Sequence, residues 1–260
     1  MSISKPPFGI KPNYSHPLMR GLIGWWLLNE GAGEQAYDSS LNRNTGTLTG
    51  MAFPPTQTSG WGSGRNGAKG LSFDGIAGAD SDRINITTLN HNIGTGDFTW
   101  SAWVYPGRVT TNYDGIMSVG LFAPNMTVKV GPGSSEWGAY WGISCGSGNI
   151  LALNRWYHLV FQRSGPTLRF YQDGVQTPTT HTRELSMANT SFNIGNNGNG
   201  TVSRLLGMID DVRFYNRALS AQEVQNLYTD PYGMFNGSKL VLSDLIGAPA
   251  VANGGFFQFM

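Results

Sequence analysis

Segment 98–105 (FTWSAWVY) constrains the fold most strongly, because large apolar side chains recur along it at every second position. Phe98, Trp100 and Val104 would share one face of an extended strand, and Trp103 would lie on the other face. A strand that is apolar on both faces either lies inside a sandwich or meets a second layer with its outer face. We therefore predict that this segment is a central strand of a layered β-structure.

Other short apolar runs follow the same pattern and are separated by turn residues, and glycine is abundant at 36 of 260 residues. Asp173-Gly174 stands between two alternating runs and predicts a type I′ hairpin. Segments 30–47 and 51–66 are polar or rich in Pro, Gly and Ser and are predicted to be loops. Many short strands with turns between them indicate a sandwich or a barrel.

One helix is marked near the end of the chain. Ser220 and Glu223 form the pattern of a capping box, in which each side chain binds the backbone N–H of the other residue. Val224 and Leu227 follow on one face, and Pro231 predicts the end of the helix.

Charge and composition exclude several classes of function. The net charge is +1 and basic residues form no stripe, so we expect no nucleic-acid partner. No run of about 18 apolar residues predicts a membrane span. Segment 1–14 contains three prolines and no apolar core, so we expect no signal peptide. Cys145 is the single cysteine, which excludes an internal disulfide, and we expect it to be a small buried residue.

Several stretches resemble, in order along the chain, the laminin G-like or pentraxin-like jelly-roll family of the concanavalin A-like superfamily. They are 21–33 (GLIGWWLLNEGAG), 38–46 (DSSLNRNTG), 156–160 (WYHLV) with 171–174 (YQDG), and 207–220 (GMIDDVRFYNRALS). The resemblance implies an all-β antiparallel jelly-roll sandwich with one short C-terminal helix, spanning residues 20–235. Residues 1–19 are then an extended N-terminal arm, and residues 236–260 a C-terminal tail that serves as an interaction segment.

The flanks of this domain resemble jelly-roll proteins encoded among phage structural genes, at segments 13–18 (NYSHPL) and 227–235 (LYTDPYGMF). This similarity implies a non-enzymatic virion structural protein that decorates a phage capsid or tail. Its expected partners are other virion proteins and copies of itself, and its expected location is the phage particle. The candidate partner-binding residues are aromatics of the arm and tail, Phe8, Tyr14, Phe256, Phe257 and Phe259.

No pattern of catalytic residues stands out. Hydrolases of the family that the chain resembles carry Glu-x-Asp-x-x-Glu or Glu-x-Asp-x-Glu on one strand, because hydrolysis of a glycosidic bond needs two flanking carboxylates. The sequence has neither spacing, and its four histidines show no metal-ligand spacing. We therefore expect that the protein is not an enzyme.

A structural calcium ion is a candidate cofactor, because Asp and Asn oxygens crowd the loop 38–46. The resemblance implies that this loop folds near the closing strand and its two aspartates, which alternation would point to opposite faces. The candidate ligands are Asp38, Asn42, Asn44, Asp210 and Asp211. The alternative is that Asp38 and Asn42 form Asx-turns and that an aspartate pairs with an arginine. Leu41 and Arg43 stand where the family has glycine.

The alternative function is a lectin-like carbohydrate-binding module with a structural calcium ion. Aromatic rings would stack on sugar rings, and amides would bind sugar hydroxyls. The candidate residues are Trp61, Trp137, Tyr140, Trp141, Asn196 and Asn197. Trp61 is expected to be exposed, because it lies in a Gly/Ser segment. Core packing is the competing explanation for the other aromatics.

Overall fold

Two antiparallel β-sheets pack face to face across an aromatic core in the computed structural model of the chain. The structure describes residues 4–76, 81–87, 89–108, 114–120, 124–128, 136–140, 144–184, 186–188, 190–196 and 204–235. The predicted fold class, an antiparallel β-sandwich with one short helix, is confirmed. None of the helices in these ranges is long and apolar enough to span a membrane.

The strands are numbered in chain order. They are β1 (Leu22–Trp26), β2 (Gln35–Ala36), β3 (Gly46–Thr49), β4 (Gly60–Ser63), β5 (Lys69–Asp74), β6 (Arg83–Ile86), β7 (Phe98–Pro106), β8 (Asp114–Val119), β9 (Asn125–Val128), β10 (Glu136–Tyr140), β11 (Ser144–Ile150), β12 (Tyr157–Ser164), β13 (Thr167–Gln172), β14 (Val175–Thr182), β15 (Phe192–Ile194) and β16 (Leu206–Tyr215). The α-helix is α1 (Ala221–Thr229), and single 3₁₀ turns lie at Pro17–Met19, Arg65–Gly67 and Gly233–Phe235.

The first sheet has the order β14-β13-β12-β7-β16-β5-β4, with β1 also paired to β16. The second sheet has the order β11-β10-β9-β8-β15-β6-β3-β2. Strand β7 is central in the first sheet, as its apolar alternation predicted. Phe98, Trp100 and Val104 face the core, whereas Trp103 lies on the outer face and stacks on Tyr228 of α1 at 5.6 Å between ring centroids.

The two adjacent tryptophans of β1 lie in different apolar clusters. Trp26 lies between the sheets, where it stacks on Phe192 with ring centroids 5.6 Å apart. Trp25 lies on the outer face of the first sheet, in a second cluster built with α1 and the 3₁₀ turn Pro17–Met19. Both tryptophans are fully buried, so β1 packs against the core between the sheets on one face and against the outer cluster on the other.

The local signals for turns and caps are confirmed. Asp173 and Gly174 connect β13 to β14, and both have the positive φ that a type I′ turn requires. Ser220 accepts a hydrogen bond from Glu223 N, and the Glu223 carboxylate accepts one from Ser220 N. Helix α1 therefore starts where the capping box predicts.

The prediction of loops at 30–47 and 51–66 is wrong in part, because strands β2, β3 and β4 begin or lie within them. Glycine in a sequence usually indicates a turn, but Gly46 is required because β3 lies too close to β6 for a larger side chain. A Cβ at this position would lie 2.4 Å from Ile84 Cγ2 on β6. The predicted C-terminal interaction segment, residues 236–260, lies outside the described residues.

Candidate functional site

The N-terminal arm is fixed to the sandwich by the buried side chain of Lys5. Its ammonium group donates hydrogen bonds to Leu28 O at 2.9 Å and Lys69 O at 2.8 Å, and it forms an ion pair with Asp210 of β16. Burial raises the pKa of Asp210 to about 6, although the Lys5 charge opposes this shift. A buried charge needs such a partner, so the pair fixes one end of the arm.

The other end of the arm is held by backbone contacts. Asn13 N donates a hydrogen bond to Met234 O at 2.7 Å, and the Asn13 side chain accepts one from Ser15 N at 3.0 Å. Leu18 and Met19 then enter the cluster on the outer face of the first sheet. The arm therefore docks on its own chain at both ends. Its middle forms one wall of a groove at the start of the domain.

The facing wall is the turn that follows β2, and Asp38 organises it. Its carboxylate accepts hydrogen bonds from Trp25 N, Ser40 N and Ser40 Oγ at 2.8 Å and from Asn44 N at 2.7 Å. Burial raises the pKa of Asp38, and these four hydrogen bonds oppose the shift. Asn44 Nδ2 also donates to Ile23 O at 2.9 Å, so the turn is tied to β1.

Between these two walls lies a groove with a volume of 290 Å³, which we call the arm–loop groove. Its lining residues are Phe8, Gly9, Ile10, Lys11, Pro12, Tyr14, Leu27, Asn29, Glu30, Tyr37, Asp38, Ser39, Ser40, Arg43 and Thr45. The volume suits a small ligand or a few sugar residues.

Three aromatic rings are exposed at the groove. Phe8 and Tyr37 contact each other across it, with ring centroids 5.4 Å apart and planes inclined by 40°. The exposed fractions of Phe8, Tyr37 and Tyr14 are 54%, 48% and 40%. Ile10 adds exposed apolar surface to the arm side of the groove, and Leu41 is exposed on the facing turn outside the groove lining. A cluster of exposed apolar side chains with polar groups around it is typical of a binding surface.

Glu30 is the half-buried acid of the groove. Its Oε1 atom accepts a hydrogen bond from Tyr37 N at 2.7 Å, which fixes the backbone beside the exposed ring. Its Oε2 atom is buried and has no hydrogen-bond partner within the described part of the chain. Burial raises the pKa of Glu30. Asn29 Nδ2 donates to Pro6 O at 2.8 Å and joins the arm to the groove floor.

The candidate partner-binding residues of the arm, Phe8 and Tyr14, are both exposed and line the arm–loop groove. Their partner stays a prediction. The tail candidates Phe256, Phe257 and Phe259 lie outside the described residues.

The carboxylates among the candidate calcium ligands are engaged with protein groups. Asp38 accepts four hydrogen bonds, and Asp211 pairs with Arg213 and accepts a hydrogen bond from Trp25 Nε1 at 2.7 Å. Asp210 pairs with Lys5, while its Oδ2 atom has no hydrogen-bond partner in the described part of the chain. The Asx-turn of Asp38 and the Asp211–Arg213 pair match the alternative, whereas the side-chain amides of Asn42 and Asn44 donate to backbone carbonyls of β1. Calcium binding stays a prediction.

The expectation that Asp210 and Asp211 point to opposite faces is wrong. Ile209 and Val212 both lie in the core, so the two aspartates between them share the outer face. The cause is a β-bulge, because the register with β7 shifts here and Asp211 has a φ of 49°.

The candidate sugar-binding residues do not form one surface. Trp61 is buried, not exposed, because β4 pairs with β5 and the indole Nε1 donates to Gly33 O at 2.7 Å. Trp137 is fully buried beside Phe170, and Asn196 is fully buried with its amide on Ser81 Oγ. Tyr140 is exposed on β10. Trp141 and Asn197 lie outside the described residues.

The sequence prediction missed Tyr37, Glu30 and Arg43. Tyr37 carried a signal, because an aromatic residue in an otherwise polar loop is either buried under the loop or exposed for binding. Glu30 and Arg43 carried none, because their place in the groove depends on the docking of an arm that is distant in sequence.

Fold and topology define the chain as a lectin-like jelly roll. Residues 77–225 match the family model Laminin_G_3, described as the concanavalin A-like lectin/glucanases superfamily. The match covers more than half of the 260 residues, and the chain belongs to this family. No curated protein sequence matches the chain. The arm–loop groove lies before residue 77, so the family match does not extend to it.

Three solved structures show the same fold at low sequence identity. Domain 4 of AbnA, an extracellular GH43 arabinanase from Geobacillus stearothermophilus in complex with arabinotriose, has a TM-score of 0.60 and 20% identity over 80% of this chain and 98% of that domain. Trypanosoma rangeli sialidase in complex with sialic acid has a TM-score of 0.59 and 17% identity, and the match covers 82% of this chain but 33% of the sialidase. The binding domain of Paraclostridial Mosquitocidal Protein 1 has a TM-score of 0.61 and 16% identity, over 82% of this chain and 53% of that one.

Proposed function

We propose that the protein is a lectin-like carbohydrate-binding module whose ligand lies in the arm–loop groove. The observation that carries the proposal is the pair of exposed rings, Phe8 and Tyr37, facing a groove lined by hydroxyl, amide and carboxylate groups. An aromatic face offers apolar surface and a negative quadrupole to the C–H groups of a sugar ring. The polar lining then orients the sugar hydroxyls.

The comparisons support this proposal at the level of fold. The arabinanase domain was solved with arabinotriose, and the sialidase with sialic acid. A shared fold does not carry a binding site from one protein to another, so the ligand is argued from this chain's own groove.

We propose binding without hydrolysis. Two carboxylates, Glu30 and Asp38, line the groove, and hydrolysis needs one as an acid and one as a base or nucleophile. Asp38 already accepts three hydrogen bonds from its own turn and one from Trp25 N of β1, so neither of its oxygens is available for a nucleophile's role.

Removal of the Tyr37 ring tests the site. We expect Tyr37→Ala to weaken glycan binding at least about tenfold, or roughly 1.4 kcal/mol, because the stacking surface is lost. Titration calorimetry with the strongest ligand from a glycan array measures the change. Tyr140→Ala removes an exposed ring from β10 and is the matched control.

The two variants separate the sites. Loss of binding in Tyr140→Ala with full binding in Tyr37→Ala would move the ligand to the β10 surface. No binding of any glycan at millimolar concentration by the unmodified protein would overturn the proposed function.

A second candidate is a structural module of a virus particle, without enzymatic activity and located in the phage. The observation that favours it is the exposed apolar surface of the arm at Phe8, Ile10 and Tyr14, which a neighbouring protein would cover. The docking of the arm on its own chain favours the lectin-like function instead.

Deletion of residues 254–260 tests this second candidate. The segment (GGFFQFM) carries three phenylalanines, and their burial on a neighbour would supply the binding free energy. We expect the truncated protein to keep its thermal unfolding transition and to be absent from particles assembled with it. Normal incorporation would exclude a role of the tail in assembly.

A further inference from the structure

Two cations stand at the rim of the arm–loop groove, one on each wall. Lys11 lies on the arm and Arg43 on the facing turn, and both side chains are exposed. Neither forms an ion pair with any acid in the part of the chain that the structure describes. Arg108, by contrast, binds Asp114 through two nitrogens.

The backbone of Arg43 is in a conformation that its side chain disfavours. Its φ is 54°, in the left-handed region, where glycine has no steric cost and a long side chain does. The neighbouring bonds from Asn44 to Asp38 and to Ile23 hold the turn in place. Strained backbone positions often lie at binding sites, so Arg43 is a candidate for contact with a ligand.

The acids of the groove do not take up these cations. The Asp38 carboxylate is buried and accepts three hydrogen bonds from its own turn and one from Trp25 N of β1. Glu30 is half-buried, accepts a hydrogen bond from Tyr37 N, and has the Lys5 charge near it. Neither acid of the groove therefore forms an ion pair with Lys11 or Arg43.

We infer that the arm–loop groove selects sugars that carry a carboxylate, such as uronic or sialic acid residues. The inference rests on the proposed function and adds a ligand class to it. The sugar ring stacks on Tyr37 and Phe8, and the sugar carboxylate lies between Lys11 and Arg43. The planar guanidinium of Arg43 matches a carboxylate in a two-point contact, and Lys11 adds a single charge from the other wall.

The test compares matched sugars with and without the acid. The full chain is titrated with 3′-sialyllactose and lactose, and a glycan array with uronate, sialylated and neutral members extends the comparison. We expect a preference of at least about tenfold for the acidic sugar of a pair. About 0.5 M NaCl should reduce this preference, because exposed charges are screened at that concentration.

Substitutions of Lys11 and Arg43 test whether these two cations cause the preference for acidic sugars. Arg43→Gln and Lys11→Gln are each expected to reduce the preference for the acidic sugar at least about threefold. Arg43→Gly, which relieves the backbone at this position, should do the same in a protein that folds at least as well. Arg20→Gln is the control, since Arg20 is an exposed arginine just after the arm and outside the groove lining.

The outcomes separate the two proposals. Equal binding of acidic and neutral sugars, with sensitivity to Tyr37→Ala, would overturn the selection for carboxylates and leave the proposed function standing. An acidic preference unchanged by Arg43→Gln and Lys11→Gln would also overturn the inference. Absence of binding to every glycan would overturn the proposed function and this inference together.

Discussion

Arg213→Ala is expected to lower the free energy of unfolding by about 3–5 kcal/mol, because it leaves a buried carboxylate without its counter-charge. Arg213 is 1% exposed, and its guanidinium binds both oxygens of Asp211, at 3.0 and 2.8 Å. It also donates to Pro231 O and lies 4.6 Å from the centre of the Trp25 ring. One side chain therefore ties β16 to β1 and to the segment after α1.

Urea unfolding followed by tryptophan fluorescence measures this effect. Arg217→Ala is the matched control, because the Arg217–Glu223 pair is partly exposed and should contribute less than about 1 kcal/mol. The double variant Asp211→Asn with Arg213→Met removes both charges and should lose less stability than Arg213→Ala alone. A loss below about 1 kcal/mol in Arg213→Ala would show that Asp211 is solvated or neutral in the folded protein.

Periodicity predicted the centre of the fold because the period of a strand is a local property. The alternation around Trp100 and Trp103 specified both faces of β7. The capping box at Ser220 placed the start of α1 for the same reason, since its hydrogen bonds span three residues.

The edges of the sheets escaped prediction because pairing, not composition, makes them strands. Trp61 lies in a segment rich in glycine and serine, residues that usually indicate a loop. Its partner Leu71 on β5 turns the segment into β4 and directs the indole into the core. An aromatic residue between glycines is therefore equally consistent with a buried edge strand and with an exposed loop.

The groove escaped prediction because it depends on contacts between distant parts of the chain. The Lys5–Asp210 pair joins residues 205 positions apart and places Phe8 opposite Tyr37. The sequence predicted partner-binding aromatics in the arm, and Phe8 and Tyr14 are both exposed. It gave no reason to place them beside Glu30, since no local pattern encodes a side chain's docking on a remote strand.

His158→Gln is expected to make the protein less sensitive to acid. His158 is fully buried on β12, and burial, reinforced by the nearby charges of Arg213 and Arg65, lowers its pKa from 6.5 to about 3. Below about pH 6.5, His158 therefore binds a proton in the unfolded chain but not in the folded protein. The free energy of unfolding falls as the pH drops. Between about pH 7 and pH 4, this single group should cost about 3 kcal/mol.

Comparison of the two proteins isolates His158 from other groups that titrate in the same range. Burial raises the pKa of Asp82 and Asp210 to about 6, so these carboxyls act in the opposite direction and stabilise the fold as the pH falls from 6 to their ordinary value of 3.8. Both carboxyls are present in the unmodified protein and in the variant, and their contributions cancel in the difference. The glutamine amide of the variant can keep a hydrogen bond to Ser101 Oγ, which lies 2.8 Å from His158 Nε2 in the unmodified protein. Unfolding free energies measured in urea at several pH values should then diverge below about pH 6.5, whereas parallel curves would mean that the pKa of His158 is the same in the folded and the unfolded protein.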